Sequence, residues 1–276
     1  MERIDNLENI SSLKENRILL EGGTTEDINF VNSQAVFIGK NNILFIEKGT
    51  NIHDSTFYYE GDNSVIYVSK NRNKLLLNID IYHDSVFYIG QDNYMNGRIN
   101  AVLSEQKHCV IGDYGLFSFG VWIRTADPHI IYDIDTKERT NLSKSIFLGD
   151  HSWIGQNVLL LKGTKIGSGS AVGAMGLVGG KTIPSNTIWG GNPAKQLKDN
   201  VWFTTGNVHF YKEEETEKSM IKDKDNFIYK YEEGKTISFD EIDKGLSDAK
   251  GSEAKLEYIK ERIRGYKEKN RFYIGK

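Results

Sequence analysis

Residues 148–179, which read LGDHSWIGQNVLLLKGTKIGSGSAVGAMGLVG, carry an aliphatic residue at every sixth position. A glycine follows most of these positions, which are Leu148, Ile154, Leu160, Ile166, Val172 and Val178. Six residues make one side of a three-sided coil, so about 18 residues complete a turn. A short strand in such a coil buries its inner face only against the coils above and below it. The period therefore predicts stacked coils, that is, a β-solenoid.

A looser form of the same repeat extends upstream. The steps are 22, 21 and 22 residues between Ile46, Val68, Ile89 and Ile111. Such steps correspond to one turn plus a few corner residues, and asparagine, aspartate and glycine near the corners tolerate the left-handed backbone region. We expect regular coils from about residue 35 onward, with residues 1–34 as an N-terminal cap.

The composition is that of a globular protein. Of the 276 residues, 38% are hydrophobic and 11% aromatic, which is enough for the core of one large domain. The 35 basic and 38 acidic residues are interspersed and give a formal net charge of −3, so we expect no nucleic-acid partner. The single cysteine, Cys109, excludes an internal disulfide and a cysteine-rich zinc module, and we assign it to the core.

The chain shows no sign of a targeting or membrane segment. Residues 1–23 alternate charged and apolar positions and lack the order of a signal peptide. No apolar run approaches the roughly 18 residues that would span a bilayer. We therefore expect a cytoplasmic protein without a membrane span.

The character of the sequence changes after residue 199. Residues 200–276 lack the six-residue period and contain charged runs such as Lys212–Glu215. Between Ser252 and Lys269, apolar residues recur at helical spacing at Leu256, Ile259 and Ile263. We predict a β-helix domain over residues 1–199 and a partly helical extension over 200–276. The extension should contain an amphipathic helix, capped by Ser252, that packs on the solenoid or on a neighbouring subunit.

Residues 124–144, RTADPHIIYDIDTKERTNLSK, interrupt the repeat before it resumes at Ile146. We expect this segment to be a loop between two coils and to carry the active site. Its histidine, His129, is the best candidate for chemistry, because an imidazole can accept a proton near neutral pH.

Three segments resemble the hexapeptide-repeat acetyltransferases, and most of all the sugar O-acetyltransferases of bacterial capsule and lipopolysaccharide gene clusters. They are TADPHIIYD (125–133), GDHSWIGQNVLLLKGTKIGSGSAVGA (149–174) and GGNPAK (190–195). The strong resemblance covers residues 110–198. It implies a mainly β fold, the left-handed parallel β-helix, and the handedness follows from the resemblance alone. It also implies acetyl-CoA as cosubstrate, no metal, a carbohydrate acceptor and a homotrimer with active sites between subunits.

The resemblance further implies roles for individual residues. His129 would be the general base for direct attack of a sugar hydroxyl on the thioester, without an acyl-enzyme, and the Trp153 indole would stabilise the oxyanion. The acceptor or the histidine would be contacted by Asp127, Tyr132 and Asp133. Coenzyme A would be bound by Gln156, Ala174, Lys181, Pro193, Lys195 and Lys198, with Lys162 and Lys165 as further lysines along the groove. Glycines in 177–181 put a threonine contact of the family in doubt, while Lys181 is retained.

The favoured function is an acetyl-CoA-dependent O-acetyltransferase acting on a hydroxyl of a bacterial surface polysaccharide or its precursor. One alternative is an acetyltransferase for a small acceptor such as a simple sugar, an amino-sugar nucleotide or an antibiotic. Another is a zinc-dependent γ-type carbonic anhydrase, because His108, His129 and His151 are 21 and 22 residues apart and could form a column of imidazoles. A structural solenoid without activity is the third.

Overall fold

The computed structural model describes residues 1–223 and 226–276, and its strands form three faces that the chain visits in a fixed order. We call them faces A, B and C, and the corners between them the A/B, B/C and C/A edges. Neighbouring strands on each face pair in parallel, except at the two ends. Glu2–Ile4 runs antiparallel to Gln34–Phe37, and Lys195–Lys198 runs antiparallel to Ile188–Gly190.

Faces A and B are sheets of eight strands each, and face C consists of a three-stranded and a six-stranded sheet. Face A contains Glu2–Ile4, Gln34–Phe37, Thr56–Tyr59, Leu77–Ile81, Ile99–Leu103, Trp122–Arg124, Leu159–Leu161 and Leu177–Gly179. Face B contains Arg17–Leu20, Ile43–Ile46, Val65–Val68, Val86–Ile89, His108–Ile111, Ile146–Leu148, Lys165–Ile166 and Thr182–Ile183. Face C contains Ile28–Val31, Thr50–His53 and Asn71–Leu75, then Tyr94–Met95, Leu116–Phe117, Trp153–Ile154, Ala171–Val172, Ile188–Gly190 and Lys195–Lys198.

The six-residue repeat fills the interior of the coils. Every one of its aliphatic positions is at most 1% exposed, namely Leu148, Ile154, Leu160, Ile166, Val172 and Val178. Each of the longer upstream steps also corresponds to one coil. Consecutive face B strands pair in register at Ile46, Val68, Ile89 and Ile111. The prediction of a β-helix is confirmed.

The coils begin earlier than the sequence pattern suggested. Residues 1–34, assigned above as a cap, contribute Arg17–Leu20 to face B and Ile28–Val31 to face C, both paired in parallel with the next coil. A two-turn 3₁₀ segment at Leu7–Ser12 precedes the first of these strands, and a short one at Glu21–Gly23 follows it. The first coil therefore starts at Arg17 rather than near residue 35.

The extension after residue 199 packs along the outer side of face B. Its regular elements are a 3₁₀ turn at Val208–Phe210, helices α1 (Glu213–Lys218), α2 (Phe239–Asp248) and α3 (Gly251–Tyr258), and a π-helical turn at Ile259–Arg264 that continues α3. Face B presents outward-facing apolar residues such as Tyr67, Tyr88 and Phe147, and the extension covers them with a set of buried residues. That set is Ile237, Phe239, Ile242, Leu246, Leu256, Ile259, Ile263 and Phe272. No helix in the described ranges is both long and apolar enough to cross a bilayer.

The predicted helix differs in its ends from the observed one. It starts at Gly251, with Lys250 as N-cap, and the assignment of Ser252 as the cap is wrong because this residue lies inside the first turn. The sequence analysis did not identify α2, although its capping box is visible in the sequence. The Ser238 hydroxyl accepts from the Glu241 N–H, and the Glu241 carboxylate accepts from the Ser238 N–H.

A buried arginine fastens the extension to the coils. Arg271, 2% exposed, donates to both carboxylate oxygens of Asp150 at 2.7 and 2.9 Å and lies 3.0 Å from a carboxylate oxygen of Asp113. Burial and the charge of Asp150 raise the pKa of Asp113. A second pair joins Arg264 to Glu47 at 2.6 and 2.9 Å. Removing one partner of such a buried pair is costly, because the remaining charge is left without water or a counter-ion.

Candidate active site

The loop that carries His129 leaves the coils at the A/B edge, between the face A strand Trp122–Arg124 and the face B strand Ile146–Leu148. One buried side chain holds the backbone around the histidine. Asn141, 7% exposed, donates from Nδ2 to the His129 carbonyl at 2.7 Å, and its Oδ1 accepts from the Ile131 N–H at 2.9 Å. The His129 side chain itself is exposed. The loop thus presents an accessible imidazole on a fixed backbone.

The rest of the loop is a small antiparallel turn. Tyr132 and Arg139 form a β-bridge, and the Asp133 carboxylate accepts from the backbone N–H groups at Asp135 and Thr136 at 2.9 and 2.8 Å. These bonds lower the pKa of Asp133. Arg139 anchors the turn to the coils by two hydrogen bonds to Glu105, at 2.6 and 2.8 Å. Asp133 therefore stabilises the loop tip, while Tyr132 is exposed.

Asp127 lies at the base of the loop in an ion pair with Lys162, with an Oδ2–Nζ distance of 2.5 Å. This hydrogen bond and the lysine charge lower the pKa of Asp127. Beside the pair is an open cavity of about 450 Å³. It is lined by Asp127, Thr140, Leu142, Lys144, Leu161, Lys162, Gly179 and Gly180. An added Cβ on Gly179 or Gly180 would meet nothing closer than 3.5 Å, so both glycines leave room for a side chain at this cavity.

Trp153 lies on face C, away from the loop of its own chain. It begins the strand Trp153–Ile154, is 47% exposed, and packs at 5.6 Å between ring centroids against Phe203 of the extension. The preceding corner residue, His151, is fully buried and stacks between Phe203 and Phe227, at 4.2 and 3.8 Å. Burial lowers the pKa of His151. The histidine thus holds the extension against the B/C edge.

The residues predicted to bind coenzyme A fall mostly on the C/A edge. Gln156 and Ala174 occupy equivalent corner positions of consecutive coils, and the Gln156 carbonyl accepts from the Met175 N–H at 2.8 Å. Both are exposed, as is Pro193. Lys195 and Lys198 bound the final strand, antiparallel to Ile188–Gly190, and are exposed too. This edge therefore carries small corner residues and, at its C-terminal end, two exposed lysines. Lys181 lies elsewhere, at the A/B edge.

Within one chain, the predicted site residues form two separate groups. The first group lies at the A/B edge and comprises His129, Asp127, Tyr132, Asp133, Lys162 and Lys181. The second lies on face C and the C/A edge and comprises Trp153, Gln156, Ala174, Pro193, Lys195 and Lys198. The face A strand Leu159–Leu161 separates them. Six extended residues from Gln156 to Lys162 span about 20 Å.

His108 and Cys109 are buried residues of the coils. His108 is buried on face B, so His108, exposed His129 and His151 do not form an open column. In the described part of the chain, no group of three or more His, Cys, Asp or Glu side chains could hold a metal ion. Cys109 is buried in the core, and burial raises the pKa of its thiol.

Sequence reasoning did not identify Asn141 or the Glu105–Arg139 pair. Nothing in the local sequence distinguishes them, because their partners are 12 and 34 residues away. The Asp127–Lys162 pair joins two residues that had been assigned to different ligands.

No protein-family model matches the chain. A polysialic acid O-acetyltransferase of Neisseria meningitidis is 30% identical over 132 residues, which is 48% of this chain and 60% of that relative. The Escherichia coli K12 protein WbbJ, named for an O-acetyltransferase of lipopolysaccharide biosynthesis, is 30% identical over 149 residues, 51% of this chain and 74% of that relative. The crystal structure of the polysialic-acid-specific acetyltransferase NeuO superposes with a TM-score of 0.63 and 29% identity, over 71% of this chain and 88% of that chain.

A left-handed β-helix with a histidine-bearing loop between two coils defines the class of hexapeptide-repeat acyltransferases. The chain belongs to this family, within its sugar O-acetyltransferases, which confirms the resemblance seen in the sequence. It spans 60% of the length of the meningococcal relative.

Proposed function

We propose that the protein is an acetyl-CoA-dependent O-acetyltransferase that acetylates a hydroxyl of a bacterial surface polysaccharide or its precursor. The observation that carries this proposal is the exposed His129 on a loop whose backbone Asn141 fixes at 2.7 and 2.9 Å. The named activities of the relatives, which include polysialic acid and galactoside O-acetyltransferases, support a sugar acceptor. Acetyl-CoA is made in the cytoplasm, which is the proposed location.

The reaction is a direct transfer. The hydroxyl oxygen attacks the thioester carbonyl carbon while the His129 imidazole takes the hydroxyl proton. The resulting oxyanion receives a hydrogen bond from the Trp153 indole N–H. The C–S bond then breaks, and the imidazolium returns the proton to the departing thiolate of coenzyme A. Asp127, paired with Lys162, holds the base of the loop, and the exposed Tyr132 is proposed to contact the sugar.

The C/A edge suits the long arm of coenzyme A. Gly173, Ala174 and Gly191 leave the corner without bulky side chains, and Gln156 offers an amide to the arm. Lys195 and Lys198 lie at the end of the groove, where the phosphates would be. Pro193 supplies a flat apolar surface for the adenine.

In the proposed mechanism a complete site needs two chains, because the His129 loop leaves at the A/B edge whereas Trp153 lies on face C, and the face A strand Leu159–Leu161 stands between them. The loop also exposes Ile130, Ile131 and Ile134 at 55%, 54% and 82%, and a neighbouring subunit would bury them. We therefore propose a homotrimer in which the A/B edge of one chain, with His129 and Lys181, meets the C/A edge of the next. This matches the inter-subunit sites implied by the resemblance.

Mixing two inactive variants tests this arrangement. His129→Ala and Trp153→Ala protomers, unfolded together and reassembled at equal amounts, should regain activity in about a quarter of the sites. Each site takes its His129 from one chain and its Trp153 from the next, and each of these residues is intact in half of the chains. Each variant reassembled alone is the control. No recovery, with trimers verified by light scattering, would place both residues in one chain's own site.

Release of thiol from acetyl-CoA, measured with a panel of capsular and lipopolysaccharide glycans and with simple sugars, an amino-sugar nucleotide and chloramphenicol, tests the activity. We expect release to be stimulated by the polysaccharides. Stimulation by only the small acceptors would establish the alternative of a small-acceptor acetyltransferase. Absence of release with every acceptor contradicts the proposed activity.

A further inference from the structure

One coil exposes several large apolar side chains. In residues 112–124, Tyr114, Phe119 and Trp122 are 40%, 49% and 43% exposed, and Leu116 is partly exposed. The coil lies immediately N-terminal to the one that carries Trp153. Trp122 faces outward from face A, whereas the others lie on face C and its two edges. We call Tyr94, Tyr114, Leu116 and Phe119 the face C platform.

The platform continues the surface of the proposed oxyanion residue. Tyr94, Leu116 and Trp153 are Cα partners in three consecutive strands, and Tyr94 is 48% exposed. Two coil steps separate Tyr94 from Trp153, about 10 Å. That distance accommodates two linked pyranose rings. Coenzyme A is proposed to lie along later coils, so the platform occupies the opposite, N-terminal side of the reacting centre.

Tyr114 occupies a backbone position that a tyrosine does not favour. Its φ is 60°, and the equivalent corners of other coils carry Asp92, His151, Gly169 and Asn186 at φ of 52°, 53°, 75° and 59°. Asn, Asp and Gly adopt this left-handed conformation easily, whereas a bulky residue pays a conformational cost. The phenol oxygen of Tyr114 accepts from the Gln91 amide at 2.5 Å, so the ring is held in one orientation. A side chain kept at such a position points to a use for the ring.

Phe119 is fixed in a similar way. A Cβ on Gly97, in the coil above, would lie 2.5 Å from the Phe119 Cβ. The glycine therefore provides the space in which Phe119 lies over the corner. Next to Gly97, Arg98 is exposed and has no carboxylate within 4.0 Å in residues 1–223 and 226–276. A cation beside an aromatic surface suits an acidic or polyhydroxylated ligand.

By itself the platform is too small for a stable subunit interface, and only its Phe119 lies on the C/A edge that meets the next chain in the proposed trimer. An aromatic residue that is half exposed offers about 100 Å², so three rings offer about 300 Å², well below the roughly 800 Å² per partner of a specific protein interface. Patches of this size on a monomer are often functional. The C–H faces of pyranose rings pack well on aromatic rings, which favours a carbohydrate occupant.

We propose that the face C platform binds the sugar units adjacent to the one that is acetylated, and that the acceptor is therefore a glycan chain rather than a free monosaccharide. This inference rests on the proposed function, because it assigns the acceptor of that same reaction. It makes Tyr94, Tyr114 and Phe119 specificity-determining residues that do not contact the reacting atoms.

The test compares chain and monomer acceptors by thiol release. Polysialic acid and free sialic acid form the first pair, and each capsular glycan of the panel is offered with its own monosaccharide. Wild type should have a kcat/KM for the chain, per sugar unit, at least tenfold above that for the monosaccharide. Tyr114→Asn and Tyr94→Asn should each raise the KM for the chain about tenfold, as expected for losing a buried ring face, with little change in kcat.

Tyr114→Asn separates binding from folding, because asparagine fits the left-handed corner and should keep or increase the thermal stability. Tyr82→Asn, which alters an aromatic residue of similar exposure, 38%, at the A/B edge, is the matched control and should leave the KM unchanged. Equal kcat/KM for chain and monosaccharide in wild type, or an unchanged KM in both platform variants, overturns the platform while leaving the acetyltransferase activity intact. Absence of thiol release with every acceptor refutes the proposed function itself, and with it the platform.

Discussion

Replacing Arg271 by methionine tests how the C-terminal extension is held on the coils. The guanidinium is 2% exposed and donates to Asp150 at 2.7 and 2.9 Å and to the carbonyls of Ile263 and Tyr266 at 3.0 and 2.9 Å. It also lies 3.0 Å from Asp113. Methionine keeps much of the side-chain volume and removes the charge. Two buried carboxylates then face each other without a cation.

The expected loss can be bounded in two ways. Removing one partner of a buried ion pair costs about 3–5 kcal/mol. The repulsion between the two carboxylates is relieved if one of them takes up a proton. At pH 7, protonation against the ordinary aspartate pKa of 3.8 costs about 4 kcal/mol, and at pH 5 about 2 kcal/mol. We therefore expect Arg271→Met to lower the free energy of unfolding by about 4 kcal/mol at pH 7, and by about 2 kcal/mol less at pH 5.

Urea unfolding followed by tryptophan fluorescence and circular dichroism, at fixed protein concentration and at both pH values, measures these differences. Lys276→Met is the control, since it removes an exposed 2.7 Å pair with Asp199 whose side chains are 64% and 54% exposed. That change should cost less than about 1 kcal/mol. A loss for Arg271→Met that matches the control, or one that grows as the pH falls, would refute the role given to the buried arginine.

Three further predictions concern stability and the loop. Burial, with the charges of Lys255 and Lys107, lowers the pKa of His108 from 6.5 to about 3. Between these two pH values the unfolded chain therefore binds more protons than the folded chain. The free energy of unfolding should fall as the pH decreases through that window. His108→Leu should flatten this part of the pH profile in urea titrations, by at most about 5 kcal/mol, and an unchanged slope contradicts the assignment. Gly112→Ala places a Cβ 2.7 Å from the Asp150 nitrogen and should cost more than about 2 kcal/mol, whereas Gly179→Ala, with 3.5 Å of clearance, should stay within about 0.5 kcal/mol. Asn141→Ala should lower kcat at least about tenfold without changing the KM for acetyl-CoA, and wild-type kcat would show that the loop is positioned by other contacts.

The coils could be predicted because their signal is local and repeated. Each inward aliphatic residue, such as Ile154 or Val172, reports one side of a coil, and the steps from Ile46 to Ile111 gave the strand register of face B. The first coil was placed too late because Arg17–Leu20 has no clear six-residue partner in the sequence. Helix α2 could have been found from its capping box at Ser238 and Glu241.

The site was only partly predictable. The interruption of the repeat located His129, but the contact that fixes its backbone comes from Asn141, and the sequence between them does not encode their proximity. Arg271 and Asp150 are 121 residues apart, so no local pattern joins them. The division of the predicted site into a group at the A/B edge and a group on face C and the C/A edge also required the structure. The six-residue repeat alone does not tell which face of the coil a given strand occupies.

The central element of the proposed mechanism is His129 as the general base. Thiol release should be measured for wild type, His129→Ala and His129→Gln with the acceptor that gives the highest rate, together with acetyl-CoA binding by calorimetry. We predict that both variants bind acetyl-CoA as wild type does and form the same oligomer, while kcat falls by about 10²–10⁴. A His129→Ala variant that retains wild-type kcat with a good acceptor would contradict the proposed mechanism.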